Sequence, residues 1–146
     1  MKSLPCRVLV VEDDERIGNL ILAILTGLGS WCIWATDGVD ALAKMKESKI
    51  DAVVTDIKLP KMDGITLTGS IVKQYPRLPI MVMTGSSDED LAEAAISAGA
   101  QEFIQKPFSE GEFTIRFKKM IRESQTVRKE DVGDVLTELE ETLKRV

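Results

Sequence analysis

The sequence predicts an α/β fold, a parallel sheet with helices on both faces. Two observations carry this. Five short apolar runs recur along the chain, and each is followed by a stretch of helical spacing. The residues that close the runs are acids, a threonine and a lysine, the side chains expected where an open α/β sheet gathers its chemistry. At 146 residues the chain is one domain long and buries a core without a disulfide framework or structural metal.

Arg7–Val11 is the first run, and its Val and Leu residues suit a strand covered on both faces. Ile17, Leu20, Ile21, Ile24, Leu25 and Leu28 then recur at helical spacing, and Gly29 is a helix stop. Trp31–Ala35 is the second strand, and Val39, Leu42 and Met45 mark a shorter second helix. Ala52–Thr55 is the third strand, with Ile65, Ile71 and Val72 in the helix after it. Ile80–Thr84 is the fourth; Asp88, Glu89 and Asp90 lead into a small-residue helix over Leu91–Ala98, where the dipole favours acids, and Gly99 ends it. Glu102–Ile104 is the fifth, followed by a helix carrying Phe113, Phe117, Met120 and Ile121.

The chain turns polar at Ser124. Residues 124–146 carry 4 basic and 6 acidic residues, against 15 and 18 in residues 1–123. Within this segment Val132, Leu136, Leu139, Leu143 and Val146 are spaced 4, 3, 4, 3 and make one stripe of a further helix. Asp131 and Asp134 suit its start, Lys144 and Arg145 its end. The reading is a domain over 1–123 and a C-terminal helical extension over 124–146, whose apolar seam is expected to dock on its own domain or on a second copy.

Composition excludes several classes. The apolar runs fall far short of the ~20 residues that cross a bilayer, and Met1–Cys6 has no apolar signal core, so a cytoplasmic protein without membrane contact is expected. A net charge of −5 argues against nucleic-acid binding. Two cysteines without a CxxC give no redox or zinc motif, and Cys6 and Cys32 read as core residues. The chain has no histidine, which removes His acid–base chemistry, His-ligated metal and a phosphohistidine of its own.

The chemistry collects after the strands. Glu12-Asp13-Asp14-Glu15 follows the first, Asp56 the third, Thr84-Gly85 the fourth and Lys106-Pro107 the fifth. Carboxylates clustered at a sheet edge repel each other and need a counter-ion. Oxygen donors without His or Cys favour Mg²⁺, which keeps waters for a phosphate-bearing substrate. Lys106 adds a point charge, Thr84 a hydroxyl, and Gly85 leaves room beside it. Such a site suits the placing of a phosphoryl group on a carboxylate, with Asp56 the central nucleophile. Asp14 and Glu15 read better as helix-capping residues.

The segments RVLVVEDDE, VVTDIKLPKMDG, MVMTG and AGAQEFIQKPF, in this order and spacing, resemble the receiver domain of bacterial two-component response regulators over about residues 5–122. The resemblance implies a flavodoxin-like (βα)₅ sheet of strand order 2-1-3-4-5, here with a C-terminal helix added. It implies that Asp56 is the phosphoacceptor and that Mg²⁺ is held by Asp13, by Glu12 through water, by Asp56 and by the backbone carbonyl of Lys58. Thr84 and Lys106 would bind the phosphoryl oxygens. Thr84 and Phe103, which stands where the family has its switch aromatic, would carry the change to the face of the fourth helix, fifth strand and fifth helix. The expected partner is a histidine kinase or phosphotransfer protein, and the chain is a switch rather than an enzyme.

Two readings rival it. An aspartyl-phosphate phosphohydrolase would want a second acid two residues after Asp56, where Lys58 stands. A flavodoxin would want a hydroxyl- and Gly-rich loop after the first strand, where EDDE would repel a phosphate. A third possibility is the receiver portion of a longer transcription regulator, since the 23 residues after 123 cannot hold a DNA-binding module. A homodimer is the remaining expectation, through the switching face or through the C-terminal helix. Glu102 and the basic Arg116, Lys118, Lys119 and Arg122 put opposite signs on that face.

Overall fold

The computed structural model describes residues 6–85 and 89–144, those at 125–138 by backbone alone. The elements alternate strictly: β1 (Arg7–Val11), α1 (Glu15–Gly27), β2 (Trp31–Ala35), α2 (Gly38–Glu47), β3 (Ala52–Asp56), α3 (Gly64–Gln74), β4 (Ile80–Thr84), α4 (Glu89–Ala98), β5 (Glu102–Gln105) and α5 (Glu110–Lys144). All strand pairs are parallel, in the order β2-β1-β3-β4-β5. β1 is therefore flanked by β2 and β3, and the chain reverses direction across the sheet beside it.

Alternation along each strand builds two cores. Val8 and Val10 of β1, Val54 of β3 and Met81 and Met83 of β4 join Ile21, Ile24 and Leu25 of α1 and Phe113, Phe117 and Met120 of α5 on one face. Leu9, Val11, Val53, Ile80 and Val82 meet Ala41, Met45, Leu67, Ile71 and Ala95 of α2, α3 and α4 on the other. β1, β3 and β4 are buried almost throughout because both faces are covered, whereas β2, at the edge, is half-buried and leaves Trp31 exposed.

The helix ends follow local chemistry. Asp14 accepts from the Arg16 and Ile17 amides and caps α1, as its sequence context suggests. Gly29 and Gly99 stop α1 and α4 in the left-handed region, at φ 86° and 117°. Asp88 lies outside the described residues. The segment expected to be a C-terminal helix is helical, as the continuation of α5 from Glu110 to Lys144; the helix start expected at Asp131 and Asp134 is corrected, since both lie inside that helix. No proline breaks this stretch, and a lone glycine at 133 costs a helix only about 1 kcal/mol. Leu139 and Leu143 are 54% and 73% exposed, so this part of the seam is not docked on its own domain; Val132, Leu136 and Val146 fall outside the described side chains. Among the described residues no helix is long and apolar enough to cross a membrane. Cys6 and Cys32 are free and only half-buried, because they lie toward the sheet edge.

Candidate functional site

The carboxyl ends of β1, β3, β4 and β5 lie side by side in the sheet, with Thr55 opposite Val11 and Val82, and Thr84 opposite Gln105. Residues from distant parts of the chain therefore open onto one edge. Glu12, Asp13 and Asp56 bring one carboxylate oxygen each within 4.8 Å of one another. Glu12 is fully buried and Asp56 nearly so, while Asp13 is exposed at the mouth.

Lys106 reaches this cluster from beyond β5. Its ammonium donates to Glu12 Oε1 at 2.7 Å and to Asp56 Oδ2 at 2.9 Å. The Lys106 amide donates to the Thr84 carbonyl at 2.7 Å, fixing the root of the side chain. Asp56 Oδ1 accepts the Ile57 amide at 2.8 Å, and Glu12 Oε2 accepts the Asp13 amide at 3.1 Å. Every carboxylate oxygen of the buried pair thus has a donor, as buried charge requires.

Burial pushes the Glu12 carboxyl up to about 7, against the pull of Lys106 and with the help of neighbouring Asp56. Burial alone would lower Lys106, but its hydrogen bonds to Glu12 and Asp56 outweigh that and hold the ammonium above the ordinary lysine value. Lys106 supplies one positive charge to this cluster of three carboxylates. The donor set is all oxygen in a chain without histidine, which fits a hard divalent cation such as Mg²⁺.

The remaining expected residues are placed as follows. Thr84 is buried at the end of β4. Lys58 is exposed, two residues past Asp56. Phe103 is half-buried and packs against the core between the sheet and α2–α4. Gly85 borders open space beside Thr84: a Cβ there would meet nothing within 4 Å among the described residues.

Two supporting residues escaped the sequence reading. A Cβ on Gly64 would lie 2.0 Å from the Asp56 carbonyl oxygen, so the glycine lets α3 start against the strand that carries Asp56. Asp63 caps that helix by accepting the Ile65 and Thr66 amides, both at 2.9 Å. The DG pair was the available signal, a cap followed by a residue without a side chain.

The family model for the response regulator receiver domain matches residues 8–118. The alkaline phosphatase synthesis transcriptional regulatory protein PhoP of Bacillus subtilis is 35% identical over 119 residues, covering 82% of this chain and 50% of that protein. A CheY-like response regulator receiver domain protein of Methanospirillum hungatei superposes with a TM-score of 0.79 at 27% identity, over 84% of this chain and 98% of that one. NtrX of Brucella abortus superposes at 0.83 and 31% identity, over 90% of this chain and 30% of that one. The chain spans about half the length of curated relatives such as PhoP.

Proposed function

The chain belongs to the response regulator receiver domain family, and on that premise we propose that Asp56 is its phosphoacceptor, charged from a phosphohistidine on a partner kinase or phosphotransfer protein. The observation that carries this is the meeting of Glu12, Asp13 and Asp56 under the Lys106 ammonium.

The Ile57 amide and Lys106 hold the two Asp56 oxygens, so the carboxylate is oriented before the donor arrives. A carboxylate oxygen attacks phosphorus in line. The new P–O bond forms as the P–N bond to the donor imidazole breaks, and the bonding pair leaves with the imidazole. Lys106 follows the negative charge from the carboxylate to a phosphoryl oxygen, and the Thr84 hydroxyl donates to another. Asp13, Asp56, the Lys58 carbonyl and, through water, Glu12 would hold Mg²⁺, which supplies a counter-charge to the crowded oxygens. The acyl phosphate hydrolyses in time, which makes the chain a switch with slow self-dephosphorylation rather than an enzyme.

Thr84 and Phe103 carry the signal to the α4-β5-α5 face, which controls a partner or the chain's own assembly. Glu102 on that face is paired with Arg116 of the same copy, at 2.9 Å, and Ile96 and Ile115 lie exposed on α4 and α5. The exposed Leu139 and Leu143 favour a second copy, or a following segment, over the chain's own domain as the cover for the tail. The resemblance to part of longer regulators keeps open the second reading, the receiver portion of a transcription regulator. The proposed setting is cytoplasmic, on the sequence grounds given above.

Incubation with acetyl phosphate and Mg²⁺, read by intact mass, tests the assignment. The wild type gains one phosphoryl group and Asp56→Asn gains none. An adduct that persists in Asp56→Asn overturns the choice of acceptor.

A further inference from the structure

Trp34 closes β2 on the edge of the sheet, away from the acids in sequence, yet its indole lies against the loop that carries two of them. Nε1 donates to the Glu12 carbonyl at 2.8 Å. The Asp13 amide, at the other end of the same peptide group, donates to Glu12 Oε2 at 3.1 Å. The peptide joining Glu12 to Asp13 is therefore held at both its oxygen and its hydrogen. A planar peptide gripped this way cannot rotate without breaking a hydrogen bond.

The indole is itself fixed. A Cβ at Gly18 would stand 2.5 Å from Trp34 Cζ2 and 2.8 Å from Cε2, so α1 packs directly on the ring through a position with no side chain. A glycine inside a helix costs about 1 kcal/mol relative to alanine, and here it makes room for the indole. On the other side the Trp34 carbonyl accepts Lys44 Nζ at 2.5 Å, and that ammonium also meets Asp40 at 2.9 Å, which ties the strand residue to α2.

We propose that Trp34 is a positioning residue for the cation site: through Glu12 it sets the peptide that aims the Glu12 and Asp13 carboxylates. This rests on the reading of those acids as Mg²⁺ ligands. A group that orients a ligand without touching the ion tunes affinity, because a misaimed ligand must be reordered on binding. Trp34 is half-buried, so water can reach the Glu12 carbonyl when the indole is removed, and the expected loss is one of alignment rather than of fold.

The test is calorimetric titration of the full chain with Mg²⁺ alone, in wild type, Trp34→Phe and Ile21→Val. Phenylalanine keeps a ring and loses the donor. Ile21 is fully buried in α1 and touches neither the loop nor the acids in any hydrogen bond, so Ile21→Val controls for lost stability. Trp34→Phe is expected to bind Mg²⁺ about threefold to tenfold more weakly, the range that one hydrogen bond carries. The Asp13 amide is expected to exchange its proton faster in that variant. Ile21→Val should match wild type in both. Equal affinity in Trp34→Phe overturns the proposal, as does an equal loss in Ile21→Val. If Trp34→Phe does not fold, benzothienylalanine at 34, with sulfur in place of the N–H, carries the same outcomes. A wild type that fails to bind Mg²⁺ overturns the cation-site reading itself.

Discussion

Lys106 and Glu12 are 94 residues apart in sequence and meet at 2.7 Å, across the carboxyl ends of β5 and β1. The contact is a part-buried ion pair whose lysine also serves Asp56, so two acids that would otherwise repel share one cation. This makes the lysine a competitor of any metal that binds the same acids.

Lys106→Met should therefore bind Mg²⁺ more tightly than wild type, by about threefold or more, because a positive charge near the ion is gone. It should also respond poorly to phosphorylation, having lost the group that follows the phosphoryl charge. Titration calorimetry reads the first effect; unchanged or weaker binding contradicts it.

Gly64→Ala should destabilise the protein by about 1–3 kcal/mol, the usual cost of overpacking. The new Cβ would fall 2.0 Å from the Asp56 carbonyl oxygen, a backbone atom of a central strand that has nowhere to go. Urea unfolding measures the loss. Labelling by acetyl phosphate should slow in the same variant, since β3 must shift.

Asp63→Ala should cost about 1 kcal/mol at pH 7, as loss of an N-cap does. Burial alone would raise the Asp63 carboxyl, but hydrogen bonds from Thr66 and Ile65 outweigh it and hold the group below its ordinary 3.8. A depressed carboxyl stabilises the fold above the unfolded value and loses that contribution as pH falls through the folded one. The gap between wild type and Asp63→Ala should thus be full above about pH 4 and close in stronger acid. A gap that widens with acidification contradicts the cap.

Removal of residues 124–146 should weaken self-association if a second copy covers the tail, because Leu139 and Leu143 stand exposed on α5. Sedimentation of full and shortened chains, with and without beryllofluoride, reads this. Identical behaviour of the two chains under both conditions removes the tail as an assembly element.

The elements were legible where local chemistry decides them. β1 and β4 begin and end where their runs do, because a strand covered on both faces is largely apolar and the polar residues at its end mark the sheet edge. Asp14 and Gly29 cap and stop α1 through their own side chain or lack of one. That α5 runs on into the tail as one helix was not legible. A polar stretch with Gly133 resembles a break, but a helix already nucleated by packed Phe113 and Phe117 continues at small cost per residue.

The sequence by itself determined that acids, a threonine and a lysine would close the strands, since hydrophobic runs and their ends are written residue by residue. Only the tertiary structure decided how those groups meet. Glu12 became the fully buried acid bound to Lys106 and Asp13 the exposed one, although the two are adjacent and both acidic. Trp34, one of two tryptophans in an apolar strand, became the donor to the Glu12 carbonyl, while Trp31 faces solvent. The reason is physical: a side chain's type is local, but burial, hydrogen-bond partner and charge balance depend on strands that pair across the sheet from distant parts of the chain.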